Sequence, residues 1–221
     1  MSKPRFAVKD NRVFMADSGI TKEIPAQVLY NYWKNPDSGN TPKEYLSGAD
    51  RSEKLVSLFN QFCSKEDTIF ELGCNIGRNL HHLYESGYKN LYGIDINEEA
   101  IKLSKELYPN TVAKLPLVCS SIEDYIIFML ENEVDVIFTM GVLMHIHPSS
   151  IWIFNYIKHV VKKYLIIAEQ EDGLYEHVFP RNYKKIFEHL GLKQVYEEYV
   201  EYPNTVDDLG VLKLQYRVFK K

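Results

Sequence analysis

Cysteine, an excess of positive charge and long apolar runs are all scarce in this 221-residue chain. Its 26 Lys and Arg are outnumbered by 30 Asp and Glu, for a formal charge of −4, so the broad basic field of a general nucleic-acid binder is missing. The longest uninterrupted apolar stretch, Tyr125–Leu130, falls far short of the roughly 18–20 residues that span a bilayer. Met1-Ser2-Lys3-Pro4-Arg5 has charge but no hydrophobic signal core behind it. Cys63, Cys74 and Cys119 are odd in number and lack metal-knuckle spacing, so they read as free thiols in a reducing compartment. Together these absences lead to the expectation of a cytoplasmic protein. Internal repeats and low-complexity segments are missing too.

What is present is an ordinary globular composition, 45% hydrophobic, with an unusual share of aromatics: 16 Tyr, 11 Phe and 2 Trp. The chain changes character once. Residues 1–48 are rich in turn formers and carry Tyr30, Tyr32, Trp33 and Tyr45; only Pro25–Trp33 has a helical look, with Pro25 at a natural first-turn position. From Arg51, strand and helix patterns alternate. Leu55, Leu58, Phe59 and Phe62 give Arg51–Phe62 one apolar helical face. Strands are expected at 67–72, 91–96, 116–119, 134–139 and 164–168, and helices at 76–84, 98–107 (capped by Asn97), 122–130, 149–161 and 181–190. Two extended segments, Val195–Tyr202 and Val211–Phe219, are joined by Pro203–Gly210, too short for a crossover helix, and should be antiparallel neighbours. The fold expected is α/β, a doubly wound Rossmann-like sheet of seven strands whose last two form an antiparallel pair, with an N-terminal helical and aromatic extension. Phe70, Phe128 and Phe138 are expected in the sheet core.

The chemistry concentrates in Glu71-Leu72-Gly73-Cys74-Asn75-Ile76-Gly77-Arg78-Asn79-Leu80, which follows the first strand and opens a helix. Gly73 allows a sharp turn, Asn75 tolerates positive φ, and Gly77 allows close helix approach. Asp95 ends the second strand, 22 residues past Gly73, where a carboxylate can accept both hydroxyls of a ribose. A dinucleotide fits poorly: the register is not G-x-G-x-x-G, Arg78 stands where the third glycine should, and Glu71 would repel a pyrophosphate. The same Glu71 suits the ammonium of S-adenosylmethionine.

Glu71–Gly77 resembles motif I of the class I S-adenosylmethionine-dependent methyltransferases, and Asp95 their motif II acid. Cys119–Asp124 resembles motif III, which flanks the adenine, and Asp135–His147 resembles motif IV and the segment after it. The resemblance covers residues 51–221 as the donor-binding domain and leaves 1–50 as an extension able to act as a lid. It implies a cofactor set of Arg51, Glu71, Gly73, Cys74, Asn75, Gly77, Asp95, Ile96, Ser121, Ile122 and Met140. More narrowly, Gly39-Asn40-Thr41-Pro42, the glycine loop and Gly141–Pro148 are similar to methyltransferases associated with pseudaminic acid biosynthesis, which implies a bacterial sugar or sugar nucleotide as acceptor and a place in polysaccharide biosynthesis.

Methyl transfer needs an aligned acceptor, and a base where the acceptor must lose a proton. His145 and His147 follow the fourth strand and are the catalytic candidates, with packing or capping of the turn before the Ser149 helix as the plainer role for His145. A His-x-His metal site with Glu169 has no spacing signature, and no metal is expected. His81 and His82 read as packing or surface residues. Tyr45 and Glu169 are candidate substrate contacts, the latter within a cluster with Glu171 and Asp172; Tyr45 could close over methionine or substrate, and Arg51 could reach the donor's carboxylate. No Asp-Pro-Pro-Tyr or Asn-Pro-Pro-Tyr follows the fourth strand, which removes the main mark of base-amino methylation in nucleic acids. The leading reading is an enzyme methylating a small polar molecule, with no membrane or nucleic-acid partner. Protein or RNA methylation and donor binding without catalysis remain open, as does the oligomeric state.

Overall fold

The computed structural model describes residues 6–9, 12–15, 25–35, 41–171, 178–179, 181–207 and 210–221. Met1–Arg5, Gly39-Asn40 and Asp172, singled out in the sequence, lie outside the described residues, as do residues 172–177 beside the acidic cluster.

The alternating segments form one seven-stranded sheet. β3 (Ile69–Leu72), β4 (Leu91–Asp95), β5 (Leu117–Cys119), β6 (Val134–Met140) and β7 (Val161–Glu169) are parallel, while β8 (Lys193–Asp207) and β9 (Gly210–Lys220) close the sheet antiparallel, in the order β5-β4-β3-β6-β7-β9-β8. All four residues of β3 are buried, as a central parallel strand covered on both faces requires. Side chains alternate between two cores. Phe70, Leu72, Ile137, Leu165 and Ile167 face α5 (Ile122–Ile126), α6 (Ile153–Val160) and α7 (Tyr183–His189). Ile69, Val136, Phe138, Ile166 and Ala168 face α2 (Ala49–Phe62), α3 (Arg78–Glu85) and α4 (Glu98–Leu107). From β3 the chain winds outward through β4 and β5, then returns to build β6 and β7 on the other side. The carboxyl ends of β3 and β6 therefore meet where the winding reverses, the place where open α/β sheets bind ligands.

Several local expectations change. The segment before residue 25 contains an antiparallel hairpin of β1 (Phe6–Lys9) and β2 (Arg12–Met15) that the turn-rich composition hides. It is followed by α1 (Ala26–Lys34) and a 3₁₀ turn, Pro42–Leu46. Helix α5 stops at Ile126, so Phe128 falls on the turn beyond it and is 79% exposed rather than in the core. The expected 149–161 helix starts as a 3₁₀ turn at Pro148–Ser150 and runs without a linker into β7. Pro203–Asp207 continues strand β8 instead of forming a loop, with a register shift between Tyr202 and Val206 that absorbs Pro203. No helix among the described residues is long and apolar enough to cross a membrane.

Candidate active site

A cavity of about 570 Å³ lies over the carboxyl ends of β3–β6, beneath α1 and the Pro42–Leu46 turn. Its floor is the glycine loop. Gly73 (φ +74°), Asn75 (φ +44°) and Gly77 (φ +72°) all adopt the left-handed conformation the sequence anticipates. A Cβ on Gly73 would lie 2.4 Å from Val142 Cγ2, so this residue lets the loops after β3 and β6 touch. Gly77 does not line the cavity. A Cβ there would meet Val112 at 2.8 Å, and its part is helix packing rather than ligand contact.

Asp95 accepts the backbone N–H of Asn75 on Oδ2 (2.7 Å) and of Asn97 on Oδ1 (2.8 Å), so the acid also fixes the glycine loop. Burial raises its pKa, opposed by these amides. Each oxygen keeps a second lone pair for a donor in the cavity. Glu71 is 1% exposed; its Oε1 accepts from Asn79 Nδ2 at 2.8 Å, while buried Oε2 has no hydrogen-bond partner among the described residues. Burial pushes its carboxyl up to about 8. A buried acceptor left in this state at a cavity wall is suited to a cationic N–H donor.

Arg78 is the cation in this wall, and sequence reasoning missed it by treating it only as a lost glycine. Its Nη1 donates to the carbonyls of Tyr45 (2.8 Å) and Ser47 (2.6 Å) and its Nε to Ser52 Oγ (3.0 Å), so it pins the covering turn to the floor. Burial, then the charge of Arg51, lowers its pKa to about 10. Arg51 itself does not reach the cavity: its Nη2 donates to Ser47 O at 3.1 Å and its guanidinium folds against Gly48. Two residues earlier than expected, α2 begins at Ala49, which leaves Arg51 in its first turn.

Cys74, Ile96, Ser121, Ile122 and Met140 all border the cavity. Ser121 caps α5, accepting from Asp124 N and donating to Asp124 Oδ2 (2.7 Å). Met140 Sδ lies 3.8 Å from both Arg78 Nη2 and Asn79 Nδ2. Tyr45 is half-buried in the wall; burial and then the charge of Asp95 raise the pKa of its phenol.

The two histidines separate in role. His147 Nδ1 accepts the N–H of Ser149 (3.1 Å) and lies 2.7 Å from Ser149 Oγ, so His147, not His145, caps the turn. With Nδ1 committed as acceptor, a neutral ring carries its proton on Nε2 and has no lone pair left to act as a base. His145 borders the cavity with its ring 4.3 Å from that of Trp33 on α1, tilted 46°. His81 bonds Thr111 and stacks on Tyr108, a packing role.

Glu169 is not a substrate contact. It is fully buried, and its carboxylate accepts Thr139 Oγ1 (2.6 Å), Val142 N (3.0 Å) and Met144 N (3.1 Å). From the other side Arg181 donates to the carbonyls of Leu143 (2.8 Å) and Ile146. A carboxylate holding the N–H groups and a guanidinium holding the carbonyls thus bracket the loop that carries His145. Among the described residues no three His, Cys, Asp or Glu side chains converge as metal ligands.

Residues 70–165 match the model of a methyltransferase domain. No curated protein matches the chain by sequence. Among solved structures, magnesium protoporphyrin IX methyltransferase from Synechocystis, with bound S-adenosylmethionine, is similar over 91% of this chain and 99% of its own, at 12% identity and a TM-score of 0.68. The 1,6-didemethyltoxoflavin-N1-methyltransferase of Burkholderia thailandensis, with 1,6-didemethyltoxoflavin and S-adenosylhomocysteine, is similar over 99% of both chains, at 13% identity and a TM-score of 0.68. A methyltransferase from Archaeoglobus fulgidus covers 81% of this chain and 97% of its own, at 16% identity and a TM-score of 0.62. At these identities the likeness establishes the fold.

Proposed function

We propose that the protein is an S-adenosylmethionine-dependent methyltransferase acting on a small polar molecule. The observation that carries this reading is Glu71 Oε2, a buried carboxyl oxygen with no hydrogen-bond partner among the described residues, at the end of β3 beside Asp95 at the end of β4. Asp95 accepts from ribose hydroxyls, Glu71 from the ammonium, and Ser121 with Ile122 borders the adenine. Arg78, rather than Arg51, meets the carboxylate. When bound, S-adenosylmethionine supplies a methyl carbon activated by its sulfonium. The bracket of Glu169 and Arg181 holds the loop of His145 rigid, and His145 takes a proton where the acceptor must lose one. Residues 1–50 act as a cover, with α1 and Tyr45 excluding water from the cavity.

The matched methyltransferase domain and the similar structures support this reading, and two of those structures act on small molecules by their names. The likeness of Gly141–Pro148 to pseudaminic acid-associated methyltransferases supports a sugar-like acceptor. The test is S-adenosylhomocysteine formation on adding cell extract divided by size. Turnover with the low-molecular-weight filtrate is the expected result; turnover only with retained macromolecules would move the substrate to protein or RNA.

A further inference from the structure

The carboxyl group of Glu71 ends a hydrogen-bonded chain of buried side chains. Arg78 Nε donates to Ser52 Oγ (3.0 Å), Ser52 Oγ donates to Asn79 Oδ1 (2.7 Å), and Asn79 Nδ2 donates to Glu71 Oε1 (2.8 Å). All four residues are buried, Ser52 completely, so each link is made away from bulk water. The chain joins α2, which carries Ser52, to α3, which carries Arg78 and Asn79, and to β3, which carries Glu71.

Its polarity runs in one direction. A guanidinium has donors and no acceptor, so Arg78 fills a lone pair of Ser52 and the hydroxyl proton points the other way. Asn79 therefore turns its carbonyl oxygen to Ser52 and its amide to Glu71. Oε1 is held as an acceptor, and any proton on the carboxyl group stands on Oε2, which has no hydrogen-bond partner among the described residues. The charges acting on Glu71 are Arg78, which favours its ionised form, and Asp95, which opposes it. An ammonium arriving at Oε2 keeps its own protons, and the Oε2 proton passes to solvent. Without the Ser52 hydroxyl, nothing in the chain fixes which end of the Asn79 amide faces Glu71. If the carbonyl turned that way, acceptor would face acceptor and ionising Glu71 would cost more. The other end of the chain reaches the cover, since Arg78 Nη1 also holds the Tyr45 and Ser47 carbonyls.

Resting on the methyltransferase reading, we infer that Ser52 and Asn79 are positioning residues for the donor's ammonium: they carry the polarity of Arg78 to Glu71 and keep Oε2 as the oxygen that receives the ammonium. Calorimetry at pH 7 compares S-adenosylhomocysteine with the analogue in which hydrogen replaces its amino group. Ser52→Ala should bind S-adenosylhomocysteine about tenfold more weakly than the wild type does, the worth of one hydrogen bond to a charged group, while the analogue binds both proteins alike. Asn79→Leu should show the same selective loss, and the double variant should lose no more than Asn79→Leu alone, because both residues act through one chain. Equal weakening of the two ligands would make Ser52 and Asn79 parts of the fold only and overturn the inference, as would additive losses or unchanged affinities. A wild-type chain that binds the two ligands equally would also overturn it, taking the ammonium away from Glu71 while leaving the methyltransferase reading intact. A folded wild-type chain that binds neither ligand overturns that reading, and the inference with it.

Discussion

At the residue scale two carboxyl groups, Asp95 and Glu71, stand in different states. Asp95 holds the glycine loop and keeps lone pairs for a ribose, so Asp95→Ala should weaken S-adenosylmethionine binding about 30-fold by calorimetry, the worth of charged hydrogen bonds. Glu71 sits at about 8 against an ordinary 4.5 because it is buried. The folded chain therefore retains a proton that the unfolded chain has lost. The stability this contributes is whole below about pH 4.5 and fades as pH rises through 8. An ammonium beside Oε2 reverses the preference, so donor binding at pH 7 should release about one proton. Titrations in buffers of different ionisation enthalpy read this directly, and Glu71→Gln should abolish it; the same release from the variant would assign the proton elsewhere. Glu71, Gly73 and Asp95 were legible in sequence because strand, turn and spacing mark them. Arg78 and Glu169 were misjudged because their roles depend on what lies across the fold: the Tyr45 and Ser47 carbonyls for one, the β6 loop amides for the other.

Among the elements, the loop after β6 and the cover over it matter most. Removing the carboxylate with Glu169→Ala strands the N–H groups of Val142 and Met144 in a buried site and should cost about 3 kcal/mol in denaturant unfolding. Because the His145 ring lies 4.3 Å from that of Trp33, the loosened loop should also shift Trp33 emission, read cleanly in a Trp152→Phe background where Trp33 is the single indole. A destabilised variant with unchanged emission would confine Glu169 to global stability. Arg78 ties the turn at Tyr45–Ser47 to the cavity floor, so donor binding should slow proteolytic cleavage between Trp33 and Arg51. Unchanged cleavage would remove the cover from the mechanism. The parallel strands and most helices were readable from periodicity and caps, Asn97 included. The β1–β2 hairpin was not, since its four-residue strands are too short to show alternation amid turn formers.

For the whole molecule, the winding of the sheet decides where chemistry can occur. Strand order puts the ends of β3, β4 and β6 side by side, and α1 lies across them with its aromatic face against His145. The modest acidic excess seen in composition becomes local, with four carboxyl groups around one cavity that Tyr30, Trp33, His145 and His147 border on another side. The aromatic excess likewise divides, with Phe70 and Phe138 in the sheet cores and Trp33 at the site, while Phe128 faces solvent. All of this depends on the cavity holding the methyl donor, and one titration asks that question with the least intervening assumption. Calorimetry of the intact chain with S-adenosylmethionine should give one saturable site per chain, shared with S-adenosylhomocysteine and severely weakened in Asp95→Ala. A folded wild-type chain that binds neither compound would contradict the account at its centre.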